Sequence, residues 1–98
     1  MDNKYLQLVG LAFRANKCSI GEERIIKDIQ QQRAKLVLLA EDIGQQTRKK
    51  ITDKCKSYNI PYMIVADRYT LAQAISKENI VAIAIRDTGF ARSIQSKV

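Results

Sequence analysis

The chain has 98 residues, enough for a single hydrophobic core and one domain, and its 46% hydrophobic content argues against a disordered chain. Lys and Arg outnumber Asp and Glu by 17 to 10, a formal charge of +7 that favours polyanionic partners. Trp and His are absent, which removes the commonest general base and the commonest metal ligand, and no apolar run approaches the ~20 residues of a membrane span.

Residues Asn3 to Ala15 read as a helix with Tyr5, Val9, Ala12 and Phe13 on its buried face. Gly10 within it costs about 1 kcal/mol relative to Ala. The segment has no basic start and no small-residue cleavage site, so it is a helix rather than a signal peptide. Cys18 and Cys55 have no CxxC spacing, which suits a reducing cytosol and a cytoplasmic protein.

Lys17 to Ile20 is extended and leads to the stretch around which the chain is organised, Ile20 to Asp42. It reads as a glycine turn, an amphipathic helix, a two-residue link and a buried strand. Ile25, Ile26 and Ile29 share one helical face, and Glu23, Arg24, Lys27 and Gln31 share the other. Leu36 to Ala40 is an unbroken apolar run, as expected of a strand covered on both faces. Gly21 allows close approach to the start of the helix, whose free N–H groups and dipole attract phosphate.

Glu41 to Gly44 is a loop whose two acids suit the positive end of the third helix. An adjacent pair could also hold Mg²⁺, but metal sites draw ligands from several segments, so no metal and no cofactor is expected. The third helix buries a stripe of Thr47, Ile51, Cys55 and Tyr58. Arg48, Lys49, Lys50, Lys54 and Lys56 stand in this region against Asp53 alone, either a phosphate-binding face or a solvated one. Asn59 and Pro61 end it, and Tyr62 to Val65 is a short strand. Ala66 to Arg68 is a turn, Tyr69 to Ser76 a short helix with Leu71, Ala74 and Ile75 inward, and Lys77 to Asn79 a loop. Ile80 to Ile85 is another apolar strand. Asp87 or Thr88 caps a last helix that runs to Lys97, with Phe90 and Ile94 inward.

Alternation of helices and strands means α/β, with helices on both faces of a small sheet. The four glycines are scattered, so there is no Gly-rich phosphate loop. Neither thiol has a neighbouring base, and both read as core residues rather than nucleophiles. The polar face of the second helix is the leading site. Arg24 and Lys27 lie one turn apart beside a glycine turn, suited to a sugar–phosphate backbone. The bland alternative is a solvated face with an i,i+4 pair between Glu23 and Lys27.

Several strings carry a family resemblance: Gly21 with Lys27, Ala34-Lys35-Leu36-Val37-Leu38-Leu39-Ala40-Glu41-Asp42, Asn59-Ile60-Pro61-Tyr62, and Leu71 with Ala74. Together they resemble the L7Ae/L30e ribosomal protein family. The opening Gly10-Leu11-Ala12-Phe13-Arg14-Ala15 and the ending Asp87-Thr88-Gly89-Phe90-Ala91 are similar to its bacterial YlxQ-like branch. The resemblance covers nearly the whole chain. It implies a three-layer α-β-α sandwich on a four-stranded mixed sheet, one domain over residues 1–98, and non-enzymatic binding of structured RNA, ribosomal RNA or kink-turns. Ribosomal or other RNA-associated proteins are the further partners it implies, with no membrane.

RNA-binding members of the family open the second helix with a Gly-x-Asn-Glu-x-x-Lys motif. Gly21 and Lys27 match its ends, while Glu23 stands at the Asn position and Arg24 at the Glu position. Arg68 matches a basic residue before the fourth helix. In the loop that packs on an extruded nucleotide, Ser76 replaces a usual Gly and Lys77 a usual small apolar residue. The implied RNA-binding set is therefore Gly21, Glu23, Arg24, Lys27, Arg68, Ser76 and Lys77, with no catalytic residue. A carboxylate at 23 lacks the donor of an Asn amide and repels phosphate. That exchange leaves a second reading, a protein-interaction module on the same fold without RNA binding.

Overall fold

Apolar residues at helical spacing and short β-rich runs alternate along the chain, and each becomes one element of the computed structural model, which describes residues 4–98. Asn3, the expected start of the first helix, lies outside the described residues. The order is α1 (Lys4–Arg14), β1 (Cys18–Ile20), α2 (Glu22–Gln30), β2 (Leu36–Leu39), α3 (Gln45–Ser57), β3 (Tyr62–Ile64), α4 (Arg68–Ala74), β4 (Ala82–Ile85) and α5 (Thr88–Lys97).

The four strands form one mixed sheet in the order β1-β4-β2-β3. β4 runs antiparallel to both β1 and β2, and β2 and β3 are parallel. The parallel pair needs a crossover, which α3 supplies. Alternation along the two central strands divides the core. Leu36, Leu38, Ile83 and Ile85 face α1, α4 and α5. Val37, Leu39, Ala82 and Ala84 face α2 and α3. The fold is a three-layer α-β-α sandwich, and the unbroken apolar run at Leu36 reflects a strand covered on both sides.

Several boundaries differ from those the sequence suggests. The link after α2 is residues 31–35, longer than the expected two, because Gln32 turns into the left-handed region at φ 59. Arg33 and Ala34 N–H both bond the Asp28 carbonyl there. Arg68 opens α4 instead of sitting in the preceding turn, since Asp67 is the cap and accepts from Thr70 N–H at 2.9 Å. The last strand starts at Ala82 rather than Ile80. Gly10 is also more than a weak point in a helix: a Cβ there would lie 2.6 Å from the Ala74 carbonyl oxygen, so glycine lets α1 pack against α4.

One buried charge ties α2 to its surroundings. Asp28, 2% exposed, accepts from the Ser19 hydroxyl on β1 and from Arg33 Nε at 3.1 Å and its second guanidinium nitrogen at 2.9 Å. A carboxylate so placed is tolerable only because hydrogen-bond donors surround it. This network fixes the rotation of α2 about its axis, and so decides which residues the helix shows to solvent.

Candidate nucleic-acid interface

With Ile25 and Ile29 fully buried and Asp28 locked inward, helical geometry turns Glu23, Arg24 and Lys27 outward, and all three are exposed. Among the described residues their side chains take part in no hydrogen bond or ion pair, so the Glu23–Lys27 pair of the bland alternative does not form. Glu22, which the sequence did not single out, pairs with Lys50 of α3 at 3.4 Å and braces the start of α2.

Gly21 caps α2 with φ +92, a conformation that side chains disfavour, and among the described residues beyond its two chain neighbours none comes within 4 Å of where its Cβ would be. No side chain caps this helix end, which leaves first-turn N–H groups facing an open approach. A cleft of about 250 Å³ lies beside it, with Gly21, Thr47, Asn79 and Val81 among its walls. The start of α2 and the loop from α4 to β4 are thus neighbours.

Arg68 joins this assembly by holding it in place. Its backbone N–H and Nε donate to the Asp42 carboxylate at 3.0 and 3.1 Å, and its terminal nitrogens donate to the Asp42 carbonyl at 2.7 Å and the Asn79 side-chain oxygen at 3.2 Å. The loop acids therefore do not cap α3 as the sequence suggested. Gly44 precedes α3 with no side-chain cap, and Asp42 satisfies the first N–H of α4 instead. The reason is reach: Arg68 offers two further donors to the same residue. The sequence gives no sign of Asp42 and Asn79 as partners of Arg68, because residues 26 and 11 positions apart meet only once the sheet has formed.

Ser76 and Lys77 lie outside the cleft walls. Ser76 holds φ 56 just past the end of α4, the left-handed position that glycine would occupy without strain. Lys77 places its Nζ 5.8 Å from the centre of the Phe13 ring on α1, a cation–π contact. Arg24 stands in the first turn of α2 and Lys27 in its last, Arg68 reaches the cleft beside Gly21 only through Asn79, and Lys77 turns toward α1.

On α3, Lys49 pairs with Asp53 at 2.8 Å and both are exposed, the ordinary i,i+4 bridge of a solvated helix. Burial pushes the Cys18 thiol up to about 12, against a smaller opposing effect of Arg86, and the Cys55 thiol up to about 11. Neither is poised as a nucleophile. Among the described residues no group of His, Cys, Asp and Glu could hold a metal ion, and no helix is long and apolar enough to cross a membrane.

Residues 3–95 match the model of the ribosomal protein L7Ae/L30e/S12e/Gadd45 family. The chain belongs to that family. It is 47% identical over 93 residues to the RNA-binding protein YlxQ of Bacillus subtilis, covering 95% of this chain and 93% of that protein. A YlxQ from Enterococcus faecium is 37% identical over 95 residues, covering 97% of this chain and 91% of that one, so the bacterial branch is the right part of the L7Ae family. A solved protein of unknown function from Bacillus halodurans C superposes with a TM-score of 0.93 at 42% identity, over 97% of this chain and 96% of the other. The Giardia lamblia 15.5kD RNA binding protein superposes at 0.81 with 16% identity, over 100% of this chain and 93% of its own. That likeness shows a shared L7Ae-type fold.

Proposed function

We propose that this chain is a non-enzymatic, cytoplasmic RNA-binding protein of the L7Ae family, acting as one domain over residues 1–98 in a ribonucleoprotein. The observation that carries it is a pair of exposed cations, Arg24 and Lys27, with no side-chain partner among the described residues. They lie three and six residues beyond a glycine whose backbone is open to approach. The names of its YlxQ relatives, RNA-binding proteins, support the same reading.

Lys27 and Arg24 grip phosphates, and Gly21 lets the backbone of a bent RNA come near the α2 N–H groups. Arg68 acts as a positioning residue that holds the α4–β4 loop beside α2. Ser76 and Lys77 flank the far side of that loop. Few aromatics accompany these cations, so recognition is by shape rather than by base stacking. The RNA is structured, a kink-turn or a ribosomal segment, and ribosomal or other RNA-associated proteins are further partners.

Glu23 favours a second reading, a protein-interaction module on the same fold. Its exposed carboxylate stands on the face that a phosphate backbone would approach. A titration with a kink-turn RNA and a straight duplex at low and moderate salt separates the two. Preference for the kink-turn, weakened by Lys27→Ala by ~1–3 kcal/mol with an unchanged melting curve, supports RNA recognition at α2. No binding of either RNA at low salt supports the protein module.

A further inference from the structure

A groove of about 320 Å³ opens at the other end of α2, lined by Asn16, Lys17, Gln32, Arg33, Lys35 and Arg86. Four of those six are cations, contributed by three separate connections of the chain. α2 has nine residues, so at ~1.5 Å per residue this groove lies a helix length away from Gly21.

Three of the cations are held in place. Arg86 donates to the carbonyls of Asn16 at 2.6 Å and Cys18 at 3.3 Å, and its Nε is buried with no hydrogen-bond partner among the described residues. Lys35 Nζ donates to the Gln32 carbonyl at 3.1 Å. Arg33 is oriented by its two bonds to Asp28. Lys17 is exposed, and among the described residues its side chain has no partner.

Asp28 is the only carboxylate among the described residues bonded to any of the four. The other acceptors are neutral carbonyls, those of Asn16 and Gln32 just past the ends of α1 and α2, where each helix dipole supplies about half a negative charge, and that of Cys18 on β1. Two such half charges and Asp28 leave about two of the four positive charges uncompensated. Helix capping therefore accounts for part of the cluster and not for all of it.

We propose that this groove is a second phosphate-binding site, which takes the sugar–phosphate backbone of an RNA helix apart from the contact at the start of α2. The Arg86 guanidinium, held by neutral carbonyls, and the Lys17 ammonium, with no side-chain partner among the described residues, suit phosphate oxygens. The lining has no aromatic or aliphatic residue. It therefore offers no platform for stacked bases and no apolar anchor for a protein partner. The choice of RNA over another polyphosphate rests on the function proposed above.

The test is amide chemical-shift mapping of the ¹⁵N-labelled chain, titrated with a straight RNA duplex and, separately, with inorganic phosphate at matched ionic strength. Duplex-induced shifts at Lys17, residues 32–35 and Arg86 are expected, whether or not phosphate also moves them. Shifts there with phosphate alone make it a free-anion site and overturn the proposal. Duplex shifts confined to residues 21–27 also overturn it, while leaving the function at α2 standing. Shifts confined to the groove sustain it and remove α2 from the contact, and no shift anywhere overturns both. In the double variant Lys17→Gln/Lys35→Gln, the slope of log affinity against log salt should fall by roughly 0.7–0.9 for each lysine engaged. An unchanged slope in a variant with normal melting overturns the proposal.

Discussion

Asp42, in the loop after β2, and Arg68, the first residue of α4, are joined three ways: carboxylate to backbone N–H, carboxylate to Nε, and carbonyl to terminal guanidinium nitrogen, at 3.0, 3.1 and 2.7 Å. The fork that would otherwise be offered to a ligand is spent on the protein, with its remaining nitrogen on Asn79. Arg68 is consequently a part of the fold first.

Removing it should therefore change stability. Arg68→Ala is expected to cost ~1–2 kcal/mol, the range for charge-assisted bonds at a partly exposed site. Asp42→Ala should cost a similar amount, and the double variant less than the sum, because the two losses share the same bonds. Urea denaturation of the four proteins measures this. Additive losses would show that the pair is not coupled.

A second relationship concerns how the helices stop. After α1, α2, α3 and α4 the chain turns through Asn16, Gln32, Asn59 and Ser76, all at φ between 56 and 61. In each case the residue after the turn donates its N–H to a carbonyl five positions back: Lys17 to Ala12, Arg33 to Asp28, Ile60 to Cys55, Lys77 to Ala72. These are Schellman ends built without glycine. Asn tolerates the left-handed region better than Gln or Ser. Gln32→Gly and Ser76→Gly should each stabilise the protein by about 0.5–1 kcal/mol, and Asn16→Gly or Asn59→Gly by less. Melting or urea curves decide the ranking. Ser76→Gly also restores the residue usual in the family's nucleotide-packing loop, so it should leave RNA affinity intact or raise it.

These helix ends explain what the sequence could and could not tell. Period and apolar runs disclosed the layers, because Leu36 to Ala40 and the Ile25, Ile29 stripe carry their burial in residue type. Gly21 was legible for a similar reason: its φ of +92 demands the residue that is there. The ends of α2 and α4 were not, since Gln32 and Ser76 stand where no glycine marks the turn. Gly10 was misread as a defect because the carbonyl it admits, that of Ala74, belongs to a helix 64 residues later. Asp28 went unnoticed on the supposedly apolar side of α2, where its partners Ser19 and Arg33 lie on two other segments. The outward face of Glu23, Arg24 and Lys27 was read correctly, but the commitment of Arg68 to Asp42 was invisible.

The buried thiols give a dependence on alkaline pH. Their folded-state values, about 12 for Cys18 and about 11 for Cys55, lie above the ordinary thiol value of 9.0, with burial as the leading cause. A raised folded value means that the stabilising preference for neutral thiol is complete below pH 9.0 and is lost as pH rises through about 11 and 12. Wild type should therefore lose melting temperature above pH 9.0 more steeply than a Cys18→Ala/Cys55→Ala variant, in which only Tyr and Lys titrate. Parallel curves would mean that the thiols are better hydrated than their burial implies. Native protein at neutral pH should also resist alkylation at both sites until it is unfolded.

The last expectation turns on Glu23 and Arg24. The α2 platform keeps the glycine and lysine of the family motif, but its middle pair carries the reverse chemistry. An Asn amide can both donate to and accept from a base edge, whereas Glu23 only accepts, and does so with a charge that repels phosphate. Arg24 supplies charge where a carboxylate would accept from an exocyclic amine. Wild type should consequently prefer a kink-turn over a straight duplex only modestly. In Glu23→Asn/Arg24→Glu both contacts become available on a helix whose orientation Asp28 already fixes, and neither side chain has a partner among the described residues to lose. One paired base contact is worth ~1–3 kcal/mol of discrimination, so selectivity should rise by about that amount or somewhat less. Overall affinity for the duplex should drop with the lost cation, and the salt slope with it. Lys77, on the nucleotide-packing loop with its Nζ held over Phe13, limits the restoration to a partial one. Competition between the two RNAs, with wild type and variant side by side, measures the selectivity directly. Tight and selective kink-turn binding by wild type, weakened in the variant, would instead make Glu23 and Arg24 readers in their own right.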